Sequence, residues 1–341
     1  MIKIAMFSTA DKVAGQGVGS AYLELINLLN ERFKDDFDIT INDYSKSDLS
    51  HYHTINFPFY LSTFSKKRGR KIGYVHFLPE TLEGSIKLPY LIKKVFYKYV
   101  ISFYKRMDQI VVVNPTFIDK LVNHGLDRSK IKYIPNFVST ENFYHKTEAQ
   151  KLKFRKENNL KPDDFIVFGN GQVQERKGID DFYQLALDNP DIKFIWAGGF
   201  SFGRITDGYD RYKNMIDNAP KNMIFTGIVD RNDLVNYYNI CDIFLLPSYD
   251  ELFPMSVLEA FSCGAPVLLR DLELYQAIIS GYYHPASDRS EMEDFIKKAK
   301  KDRSLLEVLK KESDVATKRY SQDNLSKIWY DFYNEQYNLT R

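Results

Sequence analysis

The chain of 341 residues has only two cysteines, Cys241 and Cys263, with no CxxC pair and no zinc-ligand spacing. That scarcity excludes a disulfide-stapled secreted scaffold and predicts a reducing compartment. No stretch approaches the roughly 18 apolar residues that a membrane span needs. The opening MIKIAMFSTADKVAG is a short apolar run soon broken by polar residues. It predicts a buried strand and a cytoplasmic, non-spanning protein, not a secretion signal. Low-complexity tracts and short-period repeats are missing too. Hydrophobic residues make up 44% and charged residues 27%, as in an ordinary globular chain. At roughly 150 residues per domain, the length predicts two domains.

Acids are missing from one long stretch. Between Gly84 and Met107 there is none, and from Lys66 to Arg106 eleven basic residues face only Glu80 and Glu83. The net charge of +2 divides into +6 for residues 1–150 and −4 for the rest. Such concentration predicts an anionic partner for the first half alone.

What is present is a repeated strand–helix grammar. In the first half, Ile2–Phe7, Asp38–Ile41, Lys71–Val75, Gln109–Val113 and Ile131–Pro135 are short apolar runs, and Ala21–Asn30 has helical spacing. The second half restarts with Asp164–Phe168, a Gly-rich loop over 169–178 and a helix over 179–187. Further apolar runs follow at 193–197, 223–226, 242–246 and 266–269. Strands apolar on both faces and separated by helices predict parallel sheets covered on both sides. The fold class is therefore α/β, with two doubly wound domains facing each other across a cleft. We place them at 1–148 and 149–321, with the aromatic-rich helix of 322–341 packed back on the first.

Three segments carry chemistry. Gly15, Gly17 and Gly19 lie between the first strand and a helix, where backbone N–H groups and a helix N-terminus suit an anion. The spacing is GxGxG and the loop is long, so a dinucleotide fingerprint is excluded. In the loop Gly169-Asn-Gly-Gln-Val-Gln-Glu-Arg176-Lys177-Gly178, adjacent cations enter a helix and suit a diphosphate. A solvated basic pair is the alternative. The third segment, PSYDELFPMSVLEAFSCGAPV over 247–267, begins where a strand ends and places Glu251 and Glu259 eight residues apart. A carboxylate accepts two hydroxyl hydrogen bonds and so suits a vicinal diol. For either glutamate alone, an ordinary amphipathic helix would explain the residue; for the whole string it does not.

The pattern PS-x-x-E-x-F-x(5)-E-A-x-x-x-G-x-P-V resembles the signature of the retaining glycosyltransferases of family 4, which have the GT-B fold of two Rossmann-like domains. VVVNPTFIDKL, IKYIPNFVSTENF, GNGQVQERKG and FTGIVDRNDLVNYYNICDIFLLPS match in family order, so the likeness covers nearly the whole chain. The resemblance implies a UDP-hexose donor, glucose or galactose, no cofactor and no essential metal. Glu251 would contact hexose hydroxyls and Glu259 the ribose. Backbone groups around Phe253, Pro254 and Met255 would hold the hexose, and Lys177 would neutralise the diphosphate. Two departures stand out. Gln172 and Gly171 occupy the place where many members carry an Arg, leaving Arg176 to supply that charge, and ELFPM replaces a common GFG.

Family position also implies a catalytic role for His76, at the end of the strand KIGYV. An ordinary imidazole there would exchange protons near neutral pH. His51 and His53, at the end of another strand, are assigned to the acceptor. Their HxH spacing has no third ligand, which excludes zinc. Asp36-Phe-Asp38 precedes a strand and is a solvated charge run. On a helical wheel started at Pro89, Leu88, Ile92, Val95, Phe96, Tyr99 and Phe103 form a core stripe. Lys87, Lys94, Lys98 and Lys105 lie opposite, flanked by Tyr90, Tyr97 and Tyr104. This face predicts contact with an anionic membrane. A solvated face and nucleic acid are the alternatives, and no nucleic-acid module is recognisable. The narrower resemblance, through GQVQERKG and ELFPM, is to bacterial enzymes glycosylating diacylglycerol or glucosyl-diacylglycerol, peripheral at the inner membrane face. A polyprenyl-linked or polysaccharide acceptor is the alternative, and a catalytically silent sugar- or membrane-binding partner another.

Overall fold

The computed structural model describes residues 1–10, 17–76, 78, 90–200, 203, 206 and 208–340, leaving out the side chain of Tyr90. The chain divides into two units, Met1–Phe137 with Gln322–Arg341, and Val138–Ser321. In unit 1 the elements are β1 (Ile2–Phe7), α1 (Gly17–Arg32), β2 (Phe37–Ile41), β3 (Leu49–Tyr52), α2 (Phe57–Ser62) and β4 (Arg70–Val75). They continue with α3 (Tyr90–Lys105), β5 (Gln109–Val112), α4 (Thr116–Asn123) and β6 (Ile131–Tyr133). Unit 2 opens with α5 (Glu148–Glu157), β7 (Ile166–Asn170), α6 (Ile179–Asp188), β8 (Lys193–Ala197), α7 (Tyr209–Asp217) and β9 (Met223–Gly227). It continues with α8 (Arg231–Ile240), β10 (Ile243–Leu246), α9 (Met255–Ser262), β11 (Val267–Arg270) and α10 (Glu273–Gln276). β12 (His284–Ala286), α11 (Arg289–Lys301) and α12 (Ser304–Arg319) complete unit 2, and α13 (Gln322–Asn338) returns to unit 1.

Each unit is built on a parallel six-stranded sheet. The orders are β2-β1-β3-β4-β5-β6 and β12-β11-β10-β7-β8-β9. The central strands are apolar on both faces, and Ile4, Met6, Ile72, Val75, Val111, Val167, Phe168, Ile243, Leu245 and Leu268 are almost wholly buried. Helices must therefore cover both faces of each sheet. Strand order reverses between β1 and β3 in one sheet and between β7 and β10 in the other. The carboxyl ends of strands at such a reversal are where open α/β sheets bind ligands.

The division falls after Phe137, earlier than the expected boundary at 148. Residues 138–146 pack into unit 2. Val138 bridges Ser321, the Phe143 ring lies 5.9 Å from that of Tyr238, and Ser262 Oγ donates to the Phe143 carbonyl at 2.6 Å. In unit 1, α13 buries Trp329, Phe332 and Tyr333 completely. The β3 sequence LSHY lacks the β-branched composition of its neighbours, yet all four residues are buried. It is a strand because β1 and β4 pair with it on either side.

Candidate active site

In unit 2 the loops after β7 and β10 meet at the strand-order reversal. Gly178 holds a positive φ of 69°, and a Cβ there would lie 2.2 Å from the Pro247 carbonyl oxygen, so only glycine lets the loops touch. The Tyr249 N–H donates to the Arg176 carbonyl at 2.9 Å and fixes their register. Lys177 Nζ donates to Glu251 Oε1 at 2.5 Å, and Arg176 Nη1 stands 3.6 Å from the other carboxylate oxygen. Arg176 also donates to the Asp250 carbonyl at 2.6 Å. Burial alone would raise the Glu251 carboxyl, but the charges of Lys177 and Arg176 outweigh it and hold it below its ordinary value. Burial lowers the Lys177 ammonium, against the opposing pull of Glu251. The expected pair of cations therefore exists, gathered on the expected glutamate.

Glu259 lies in the second turn of α9, 3% exposed. Tyr238 Oη donates to its Oε2 at 2.8 Å and in turn accepts from Asn170 Nδ2 at 2.8 Å. Arg231 reaches Oε1 at 3.3 Å, with its guanidinium 4.9 Å from the Phe143 ring centroid. Tyr238, Asn170 and Arg231 were not singled out in the sequence. They stand 21 to 89 positions from Glu259, in matched strings that do not themselves point to it, so only the packing of α8 against β7 and α9 reveals the contact. Phe253 and Met255 are both buried; the Phe253 ring lies 5.4 Å from that of Tyr320. Pro254 caps α9 and has no N–H. Of the three residues expected to hold a hexose through their backbone, only Phe253 and Met255 have a donor to give.

In unit 1 the three predicted histidines come together at the carboxyl ends of β3 and β4. The ring of His53 lies 4.2 Å from that of His51 and stacks at 5.8 Å on that of His76. Tyr22, on α1, meets the His53 ring edge-on at 4.9 Å, and Tyr74 lies 4.3 Å from His76. His51 Nδ1 shares a 2.8 Å hydrogen bond with Tyr333 Oη. Both nitrogens of His53, and Nε2 of His51 and of His76, are buried without a hydrogen-bond partner among the described residues. Burial pushes His51 and His76 down to about 3, and His53 falls well below its ordinary value for the same reason. Proton exchange by His76 near neutral pH, the behaviour of an ordinary imidazole, is thus replaced by a neutral ring that donates from one nitrogen and accepts at the other. Among the described residues no cluster of three His, Cys, Asp or Glu could hold a metal ion.

The other assignments fare unevenly. Gly17 and Gly19 lie in the first turn of α1, whereas Gly15 lies outside the described residues. Lys94, Lys98 and Lys105 are exposed; Lys87 and the Tyr90 side chain fall outside the described residues. Tyr97 is half-buried, but Tyr104 is only 2% exposed and cannot flank a surface face. The core stripe also fails at Ile92 and Val95, which are exposed. A single wheel assumes equal cover along a helix. Here Val100, Phe103 and Tyr104 in the second half of α3 are buried, and the first two turns are not.

Known families and chains can now be set beside this geometry. Residues 150–315 match the family described as glycosyl transferases group 1, and residues 22–142 match Glycosyltransferase Family 4. The alpha-galactosylglucosyldiacylglycerol synthase of Streptococcus pneumoniae is 51% identical over 341 residues, the whole of this chain and 91% of that protein. The chain is a family 4 glycosyltransferase. The processive diacylglycerol alpha-glucosyltransferase of Acholeplasma laidlawii shares 30% identity over 212 residues, 62% of each protein. Two solved structures share this glycosyltransferase's GT-B fold. Anabaena HepE, solved with UDP and glucose, covers 98% of this chain and 100% of its own at a TM-score of 0.79 and 14% identity. Sucrose-phosphate synthase from Thermosynechococcus elongatus covers 99% and 100% at 0.80 and 15%.

Proposed function

We propose that this glycosyltransferase moves a hexose, glucose or galactose, from UDP to a membrane glycolipid acceptor, glucosyl-diacylglycerol or diacylglycerol, with retention of anomeric configuration. The observation that carries the donor half is the convergence of Lys177 and Arg176 on Glu251 beside the strand-order reversal of unit 2. A diphosphate arriving there exchanges with Glu251 for the cations, which then stabilise the charge that develops on departing UDP. Glu251, released, accepts hydrogen bonds from the hexose hydroxyls. Glu259, oriented by Tyr238, accepts from the ribose diol. Gly15, Gly17 and Gly19 are assigned to the donor as well, as are Phe253, Pro254 and Met255.

His76 serves the reacting hexose and His51 and His53 the acceptor hydroxyl as neutral hydrogen-bonding rings. An acceptor hydroxyl forms the new bond to the anomeric carbon, the bond to the UDP oxygen breaks, and the hydroxyl proton leaves with the diphosphate. The acceptor class is supported by the 51% identity to the pneumococcal synthase. The UDP donor is supported by the UDP and glucose held by HepE, a chain of the same fold. The exposed lysines of α3 support a reaction at the inner face of the membrane. Incubation with UDP-glucose or UDP-galactose and glucosyl-diacylglycerol in detergent micelles tests this, with mass analysis of lipid and NMR of the new linkage. One added hexose in α linkage is expected. Hydrolysis of the donor without a lipid product overturns the acceptor, and a β linkage overturns retention.

A further inference from the structure

A hydroxyl taken out of water is costly unless it finds a partner, and an orphaned one in a folded chain calls for an explanation. One stands beside the charged cluster of unit 2. Tyr275, on α10, is completely buried, and its Oη has no hydrogen-bond partner among the described residues. Its place follows from the sheet. β11 pairs in parallel with β10, Leu269 opposite Leu246, so α10 follows the carboxyl end of β11 beside the loop that carries Glu251 out of β10. The Tyr275 N–H closes a turn onto the Leu272 carbonyl at 2.8 Å, and the Tyr283 ring meets that of Tyr275 edge-on at 5.8 Å. Packing, not the hydroxyl, holds this side chain. A tyrosine that only filled the core would be better replaced by phenylalanine, which fills the same space without stranding a hydroxyl.

The charges around the hydroxyl are those of the donor cluster. Burial pushes Tyr275 well above its ordinary range, the Glu251 carboxylate raises it further, and Arg176 pulls it back. It is an O–H donor at every working pH, close to a carboxylate that Lys177 and Arg176 already occupy. The loop bearing that carboxylate is pinned from below. Arg270 Nε donates to the Pro247 carbonyl at 3.1 Å, Arg270 also pairs with Asp181, and Tyr249 Oη donates to Asp181 Oδ2 at 2.7 Å. Glu251 therefore stays buried when its cations are drawn away.

We propose that the Tyr275 hydroxyl is the donor that takes up Glu251 when a nucleoside diphosphate draws Lys177 and Arg176 to itself. This rests on the donor exchange of the proposed function and deepens it. A buried carboxylate left without its cations would oppose the exchange. The tyrosine, unused in the free protein, supplies the missing hydrogen bond. It fills one of about four lone-pair sites on the carboxylate and leaves the others, now fixed in direction, to the hexose hydroxyls. Tyr275 is thus a positioning residue that acts through Glu251 and needs no contact with the sugar.

Tyr275→Phe in the full chain tests it, read by UDP titration and by thermal unfolding without ligand. UDP affinity should fall about tenfold or more, the fold-change for a lost hydrogen bond to a charged group. The unfolding midpoint of the free protein should stay level or rise. A lower midpoint would mean that the hydroxyl is already bonded in the free protein, and overturns the proposal. The Lys177→Ala background supplies a test without ligand. There Glu251 lacks its lysine from the start, so Tyr275→Phe should lower the midpoint by about 3 °C or more, an effect absent from the parent; no shift in that background also overturns the proposal. UDP affinity lost in Lys177→Ala but kept in Tyr275→Phe sinks the role of the tyrosine and leaves the donor site standing. Affinity kept in both removes the exchange itself, and the proposal with it. Ser248 is buried in the same loop, and a loss in Ser248→Ala without one in Tyr275→Phe would give the role to the serine instead.

Discussion

The two strand-order reversals occupy the same place in two similar sheets and carry opposite chemistry. Beside β7 and β10 two buried glutamates are charged and paired: Glu251 with Lys177, and Glu259 with Arg231. Beside β1, β3 and β4 three histidines are held neutral, walled by Tyr22, Tyr74 and Trp329. A site that stores ion pairs is prepared to exchange partners with a charged ligand. A site of neutral rings with unsatisfied nitrogens is prepared for hydroxyl groups, which donate and accept but bring no charge. In the proposed reaction, one topology thus serves a nucleoside diphosphate in one unit and uncharged alcohols in the other.

The contrast breaks most visibly at Lys177. Lys177→Ala leaves Glu251 buried, with Arg176 the remaining cation beside it, and removal of one partner from a buried pair costs about 3–5 kcal/mol. Transfer should fall by about 100-fold or more, since the developing diphosphate charge loses a donor. Glu259→Ala should weaken UDP binding by about 1.5–3 kcal/mol. A transfer assay reads the first effect and calorimetric titration with UDP the second; UDP affinity unchanged in both variants would sink the donor assignment.

Acid should attack the neutral site first. A histidine whose folded pKa is depressed stays unprotonated while the unfolded chain takes up a proton. Stability is therefore full above about 6.5, the unfolded value, and is lost as pH falls from there toward about 3, the folded value of His51 and His76. One such histidine destabilises by about 2 kcal/mol at pH 5 relative to neutral pH. Denaturant unfolding at pH 7, 6 and 5 should show at least that loss, and His53→Phe should shallow the slope. A stability unchanged from pH 7 to 5 would mean that these rings are not held neutral.

A smaller effect sharpens the charged side. Tyr238→Phe removes the hydroxyl that orients Glu259 while leaving Arg231 in place. A lost hydrogen bond to a charged group is worth about 1.5–3 kcal/mol. UDP affinity should therefore drop about tenfold to 150-fold, with less effect on turnover. Loss of turnover at unchanged affinity would move Tyr238 from ribose binding to the reacting hexose.

How much of this was legible beforehand follows from the range of each interaction. Lys177, Glu251 and Glu259 stand in strings whose local spacing implies their neighbours, and the apolar runs implied the parallel sheets. Tyr238 and Arg231 act on Glu259 from another helix, and no periodicity records such a contact. The stacking of His51, His53 and His76 depends on the pairing of β3 with β4, which four residues of unremarkable composition do not announce. The α3 wheel placed its lysines on an exposed face and misplaced Tyr104, Ile92 and Val95, because cover changes halfway along the helix and a wheel has no coordinate for length. The division falls ahead of the expected 148 for a related reason: the polar sequence of 138–146 hides Phe143, whose ring and carbonyl fasten the segment to unit 2.

The smallest expected effect is none at all. In the proposed reaction Lys177 and Arg176 neutralise the departing diphosphate, the work a divalent cation does where carboxylates hold it beside the phosphates. The two glutamates assigned to the donor are already engaged, Glu251 by Lys177 and Arg176, Glu259 by Tyr238 and Arg231. A cation recruited there would have to displace protein cations from both. Transfer from UDP-hexose should therefore proceed at an unchanged rate in excess EDTA, and magnesium or manganese should not accelerate it. Lys177→Ala sharpens the test, because a metal able to substitute for the missing charge would restore part of the lost rate. Complete loss of parent activity in EDTA, recovered on adding magnesium, would show that the diphosphate is held by an ion and not by the lysine. The contrast between a charged and a neutral reversal would survive that result, but with Glu251 recast as a metal ligand.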